Sequence, residues 1–308
     1  MQILTSGLRF PEGPIYLQDG SVLLVEIERG TLSRVAKDGS VSVVAECGGG
    51  PNGAAIGPDG LVYICNNGGF TWQTIDGLLR PVGTPEDYVT GSIQTVDLQT
   101  GEVNTLYHSC DGHKLKGPND IVFDSQGGFY FTDLGKRHAD SLERGAIYYA
   151  STDGKNIKAV VRPIEQPNGI ALSKDETRLY AAETFSAKVR YWDIDTPGKL
   201  LPHRDPFGVG NILYGFQRYE RLDSMAIDGD DNICVATLGT GCINAIDPNG
   251  SLVACIPVPT PDVMVTNICF AGKDSKQAFV TSSGLGVLYE TNWHCNGHTL
   301  AFLSLIHI

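Results

Sequence analysis

Six residues of this chain combine a shared chemistry with a shared sequence position: Glu12, Asn52, Asn119, Asn168, Asp223 and Thr266. Each stands at the head of a segment with one form. A polar residue, often after Pro, leads into a short apolar run, a Gly/Asp turn and a second apolar run. The segments read PEGPIYLQDGSVLLVE from Pro11, PNGAAIGPDGLVYICN from Pro51 and PNDIVFDSQGGFYFTD from Pro118. They continue with PNGIALSKDETRLYAAE from Pro167, LDSMAIDGDDNICVAT from Leu222 and VTNICFAGKDSKQAFVT from Val265. All six side chains offer oxygen, none is basic and none is apolar. Such a set suits a hard cation such as Ca²⁺, Mg²⁺ or Mn²⁺, whereas Zn²⁺ usually takes His or Cys. Two carboxylates converging on one place repel unless a cation or a proton lies between them. A single Pro-Asn-Gly is a turn signal and no more. Three Asn in register with Glu12 and Asp223 point to a cation site.

The segments start 40, 67, 49, 55 and 43 residues apart, and full units add two further strand candidates, as in GAIYYASTDGKNIKAVV and GCINAIDPNGSLVACI. Four strands in about 40–50 residues make one blade of a β-propeller. The expectation is therefore an all-β, six-bladed β-propeller, a single domain over residues 1–301. Residues 302–308, FLSLIHI, follow no blade pattern and read either as a closing strand or as a non-native tail. Inner strands of a propeller run along its central channel, so the six equivalent positions should form a ring there. Long units locate insertions at 70–92 and 135–144, and a long connection at 203–221. Loops of this size tend to carry function. Their Trp72, Phe207, Tyr214, Phe216 and Tyr219 either wall a pocket or cover blade surfaces.

Composition agrees with many hairpins. Glycine accounts for 37 of 308 residues without a Gly-X-Y period, which excludes collagen. The net charge of −12 and the lack of a basic patch argue against a nucleic-acid partner. No apolar run approaches the roughly 18 residues of a membrane span, and the first residues lack a secretory pattern. The eight cysteines show no CxxC and read as buried small hydrophobes, so a reduced, cytoplasmic setting is expected. Asp228, Asp230 and Asp231 sit where other blades carry a hairpin turn, and they lack the spacing of a calcium loop. The seven histidines form no HExxH, and no GxSxG, P-loop or Rossmann fingerprint occurs.

The Glu-Gly-Pro at 12–14, the Pro-Asn-Asp at 118–120, the Pro-Asn-Gly at 167–169 followed by IALS, and DSMAID from Asp223 together resemble one family. It is the senescence marker protein/gluconolactonase/luciferin-regenerating-enzyme family, and the similarity runs from Phe10 to about Asn292. The resemblance implies a six-bladed propeller and a metal-dependent lactonase. It also implies metal ligands at Glu12, Asn168 and Asp223, with Asn119 near metal and substrate and Asp120 beside it. Some sugar-lactonase members carry Arg two residues before that Asn; here the position is Gly117, preceded by Lys116. This departure favours a less hydroxylated lactone or another ester.

The expected cofactor is one divalent cation, calcium first and then manganese, iron, magnesium or zinc. Asp223 is the expected catalytic carboxylate, orienting or deprotonating water, and Asn119 the expected donor to the carbonyl oxygen as it gains charge. Asn52, Asn119, Asp120, Trp72 and Thr266 complete the expected substrate contacts. The expected partner is a small lactone, with neither nucleic acid nor membrane. Two other readings are a phosphotriesterase or esterase on the same propeller, and a non-catalytic binding module.

Overall fold

The computed structural model describes residues 1–138, 140–203, 209–218 and 220–305. Its repeating unit follows from turn chemistry. In the third unit, Asp124 Oδ1 accepts the backbone N–H groups of Gln126 and Gly128 at 3.0 Å, which closes the turn between the first two strands. Asp228 plays the same part in the fifth unit, accepting Asp230 N–H and Asn232 N–H at 3.0 Å. The acidic run there is the hairpin turn that its sequence position implies. Second strands such as Val22–Glu26, Val62–Asn66 and Phe129–Asp133 are buried at every residue. Neighbouring blades cover both faces of these strands, so they read as continuous apolar runs rather than alternating ones.

Among the described residues, six antiparallel sheets of four or five strands form the blades. Their inner strands are Pro11–Tyr16, Pro51–Ile56, Pro118–Phe123, Pro167–Leu172, Arg221–Ile227 and Val265–Phe270. Each inner strand packs against the next, and the sixth packs against the first. Aromatic residues fill the wedges between blades, as where Tyr63 of blade two meets Phe123 and Phe129 of blade three at 5.0 and 5.5 Å between ring centroids. The outer strand of blade six is Gln2–Ser6, paired with Val287–Asn292, so the two ends of the blade array meet in one sheet. Of the tail 302–308, residues 306–308 lie outside the described residues. Leu303–Leu305 form a short 3₁₀ turn, with Phe302 edge-on to Phe123 at 5.9 Å.

The insertion at 70–92 contains a hairpin, Thr71–Ile75 with Leu78–Gly83. Its turn is Asp76-Gly77, both with positive φ (54° and 79°), as a type I′ turn demands. Leu79 N–H donates to Gly284 O at 2.9 Å, tying the hairpin to blade six.

In the connection at 203–221 the described residues follow the second of the two expectations and cover a blade surface. Asn211–Gly215 pairs with Lys188–Thr196 as an outer strand of blade four. Tyr214 and Phe216 pack on each other there, 4.9 Å apart, rather than walling a pocket. The blade needs an outer strand, and this segment supplies it. Phe207 and Tyr219 lie outside the described residues. Six of the eight free cysteines are buried, Cys255 is exposed and Cys295 is intermediate. No helix among the described residues is long and apolar enough to cross a membrane.

Candidate metal centre

All six inner strands break register with the second strand of their blade at or beside the singled-out residue. The shifts fall between Glu12 and Ile15, Pro51 and Ala54, Pro118 and Ile121, Pro167 and Ile170, Leu222 and Met225, and Val265 and Asn267. A β-bulge re-aims a side chain that regular pleating would send into the sheet face. Here the bulges let successive residues leave the strand toward opposite ends of the channel. Glu12, Asn52, Asn119, Asn168 and Asp223 line one pocket of about 210 Å³. Asp120 and Asn267 line a larger and mainly apolar cavity of about 300 Å³ at the other end.

Close packing around the axis explains the glycine that follows three of these residues. A Cβ on Gly53 would lie 2.5 Å from Asn119 O, and one on Gly169 would lie 2.7 Å from Asp223 O. At Gly13 a Cβ would come within 2.8 Å of Ala54 N and Asn52 O, and φ is also positive, at +52°. The requirement is contact with the next blade's bulge at all three positions, with backbone handedness added only at Gly13.

The electrostatics of the pocket floor are unusual. Glu12 Oε2 accepts Gly13 N–H and Asn267 Nδ2–H, both at 2.9 Å, and the Thr266 hydroxyl adds a further hydrogen bond to Glu12. Burial still pushes Glu12 above the usual carboxylate range, against those hydrogen bonds. Burial also pushes Asp223 well above that range, and the nearby charge of Glu12 adds to it. The side chain of Asn168 hydrogen-bonds Asp223, and its Nδ2 donates to Thr184 Oγ1 at 3.2 Å. Asn119 Oδ1 and Asn168 Oδ1 are buried without a hydrogen-bond partner, and so is Oε1 of Gln166, which lines the same pocket. Buried polar atoms rarely stay unpaired, so each such orphan asks for a ligand. Two buried acids that repel, beside orphaned carboxamide oxygens, are the donor set of a hard cation. The residues present, Glu12, Asn168 and Asp223 among them, therefore fit a divalent metal.

Three of the expected substrate contacts lie elsewhere. Asp120 is buried among backbone donors, with Oδ1 accepting Ile121 N–H at 2.9 Å and Oδ2 accepting Ile170 N–H at 3.2 Å. Burial, with Glu12 nearby, pushes it up to about 7. Thr266 is fully buried and shares its hydroxyl with Thr281 Oγ1 at 2.9 Å and Ser283 Oγ at 2.5 Å. It holds Glu12 rather than lining the pocket. Trp72, on the hairpin, packs against Phe10 and Phe70 at 4.9 and 5.8 Å and stands behind the pocket wall.

Sequence reasoning missed the rest of the wall, which includes Phe10, Phe70, Lys136, Gln166, Phe185 and Arg221. Gln166 directly precedes a Pro-Asn-Gly and adopts φ +42°, but only the fold brings it to the axis. A separate group, Asp228, His294 and Cys295, has ligand atoms within 4.8 Å of one another. Asp228 lies on the blade-five hairpin turn and the other two just beyond Val287–Asn292 of blade six, and Asp228 Oδ2 already accepts Asn232 Nδ2–H and Trp293 Nε1–H at 3.0 Å.

The fold and site define a six-bladed propeller with an oxygen-rich ring at one mouth of its channel. The chain belongs to the SMP-30/Gluconolactonase/LRE-like family, whose profile matches residues 10–284. It is 31% identical to lactonase drp35 of Staphylococcus saprophyticus over 264 residues, 85% of this chain and 74% of that one. Two solved structures share the fold. Regucalcin, a calcium-binding protein from Agrobacterium tumefaciens, superposes with TM-score 0.74 at 18% identity, covering 97% of this chain and 96% of that one. A gluconolactonase from Xanthomonas campestris gives TM-score 0.73 at 20% identity, covering 94% and 88%.

Proposed function

We propose that this protein is a lactone hydrolase that depends on a divalent cation, calcium first among the candidates. The observation that carries the reading is the pocket floor: Glu12 and Asp223 repelling each other in burial, beside the unpaired Oδ1 atoms of Asn119 and Asn168. Kinship with a protein named as a lactonase supports the choice of reaction. When bound, the cation supplies Lewis acidity toward an ester carbonyl and lowers the pKa of a water molecule.

The chain's own groups do the remainder. Glu12 is held rigid by Gly13, Asn267 and Thr266, so one carboxylate is fixed before substrate arrives. Asp223 lines the pocket, which supports it as the group that orients water and accepts its proton. Asn119 and Asn52 present carboxamides to the same space, suited to donating N–H to the carbonyl oxygen as it gains negative charge. Apolar groups of Phe10, Phe70 and Phe185 narrow the mouth and limit bulk water.

Asp223→Asn and Glu12→Gln test this directly. Each should reduce lactone hydrolysis by roughly a thousandfold or more while circular dichroism stays that of the parent. Parent-like turnover in both variants would overturn the assignment.

A further inference from the structure

Among the described residues, Lys136 is the one cation of the pocket wall that is almost fully buried, only 3% exposed. The other two basic wall residues, Arg137 and Arg221, are exposed. Lys136 Nζ donates to Gly69 O at 3.1 Å and lies 5.0 Å from the ring centre of Phe70 and 4.4 Å from that of Tyr88. An ammonium has three N–H donors; one has an oxygen acceptor, and the other two have only the ring faces. The acids that face it are committed elsewhere. Asp133 accepts the backbone N–H groups of Lys116, Gly117 and Gly135 at 2.7, 2.7 and 2.9 Å, and Glu143 is ion-paired with Lys116 Nζ at 2.9 Å. Burying a charge with no carboxylate in contact is costly, and the aromatic faces and the more distant charges of Asp133 and Glu143 offset only part of the cost. A cation kept in this state at the wall of a binding pocket is poised for an anion that arrives with the ligand.

We infer that Lys136 forms a subsite for a carboxylate carried by the substrate, so that the preferred lactones are acidic ones. The inference rests on the lactone-hydrolase reading for the identity of the substrate, but not for the presence of the subsite. Carboxylate is favoured over phosphate because the wall offers one buried ammonium and no helix N-terminus among the described residues, where phosphates are usually bound through several donors. The pocket then sorts a ligand by charge. Its floor takes the ester carbonyl near Glu12, Asn168 and Asp223, and its wall takes the second oxygen group. Lys116 cannot serve, because Glu143 already neutralises it.

The test compares a γ-lactone bearing a ring carboxylate with its neutral carboxamide analogue, using the parent protein and Lys136→Met, both loaded with calcium. Methionine keeps the length of the chain and packs well against aromatic rings. Loss of a charge-assisted hydrogen bond should raise KM for the acid about tenfold to a hundredfold, leaving the carboxamide within about twofold. Equal changes for both lactones, or none, would overturn the subsite. If the parent opens neither lactone, the lactonase reading falls, and calorimetry with glutarate and butyrate decides the subsite alone. Glutarate should bind the parent about tenfold more tightly than butyrate, a preference that Lys136→Met abolishes. Equal affinities for the two acids in the parent would overturn it.

Discussion

At the scale of the residue, the floor of the pocket holds two buried carboxylates that raise each other's proton affinity. Glu12 and Asp223 both sit above the ordinary carboxylate range, so the folded protein holds more protons than the unfolded chain from about pH 4 up to their raised folded values. Stability of the metal-free protein must therefore fall as pH rises through that window. Thermal unfolding at about pH 5 and pH 8 should show this loss, and Glu12→Gln should shrink it. A metal-free melting temperature that is flat or rising over that interval, in parent and variant alike, would contradict the assignment. Calcium at a hundred times its dissociation constant should restore about 2.7 kcal/mol.

Lys136 gives a second pH signature at this scale. Burial lowers it to about 8, with Asp133 and Glu143 opposing, and the phenol of Tyr88 faces it. Its charge is present at pH 7 and is lost as pH passes about 8. KM for an acidic lactone should then rise between pH 7 and 9, after correction for spontaneous ring opening, while KM for a neutral lactone stays level. Parallel curves for the two would speak against Lys136 as the anion contact.

At the scale of the element, the bulged inner strand is the device that makes a site out of a blade. Two glycine substitutions separate its demands from those of an ordinary turn. Gly77→Ala, in the hairpin turn, places a Cβ in open space and pays only for φ +79°, a cost of about 1 kcal/mol. Gly13→Ala adds a clash at 2.8 Å with the backbone of blade two, so the bulge bearing Glu12 must shift. Denaturant unfolding should show a small loss for Gly77→Ala with calcium affinity unchanged, and loss of calcium binding for Gly13→Ala. Equal calcium affinity in the two would mean that the bulge does not set the site.

Much of this element was legible in the sequence because it repeats. Register alone brought Glu12, Asn52, Asn119, Asn168 and Asp223 to a common position, and the structure gathers those five around one pocket. Asp120 and Thr266 show where legibility stops. A bulge reverses the direction of the next side chain, and no spacing rule says so. Asp120 therefore leaves for the far cavity, and Thr266 turns inward to hold Glu12. The wall was harder still, since Lys136, Gln166 and Phe185 reach the pocket from loops and turns whose positions depend on closure of the ring.

At the scale of the whole molecule, closure depends on Gln2–Ser6 completing blade six. Deleting that strand exposes the edge of Val287–Asn292, and an uncovered edge invites pairing with other chains. The shortened protein should melt at a lower temperature and show aggregates by size-exclusion chromatography. A monomer with parent stability would mean that the ring is held shut by other contacts. An intact ring is also what keeps the carboxylates of blades one and five converged on one axis, so the fold and the cation site stand together. The most direct test of that joint claim is hydrolysis of a lactone panel by protein stripped with a chelator and then reloaded separately with calcium, manganese, iron or zinc. Turnover should vanish after stripping and recover with at least one hard cation, calcium foremost. Full turnover in the stripped protein would contradict the joint claim.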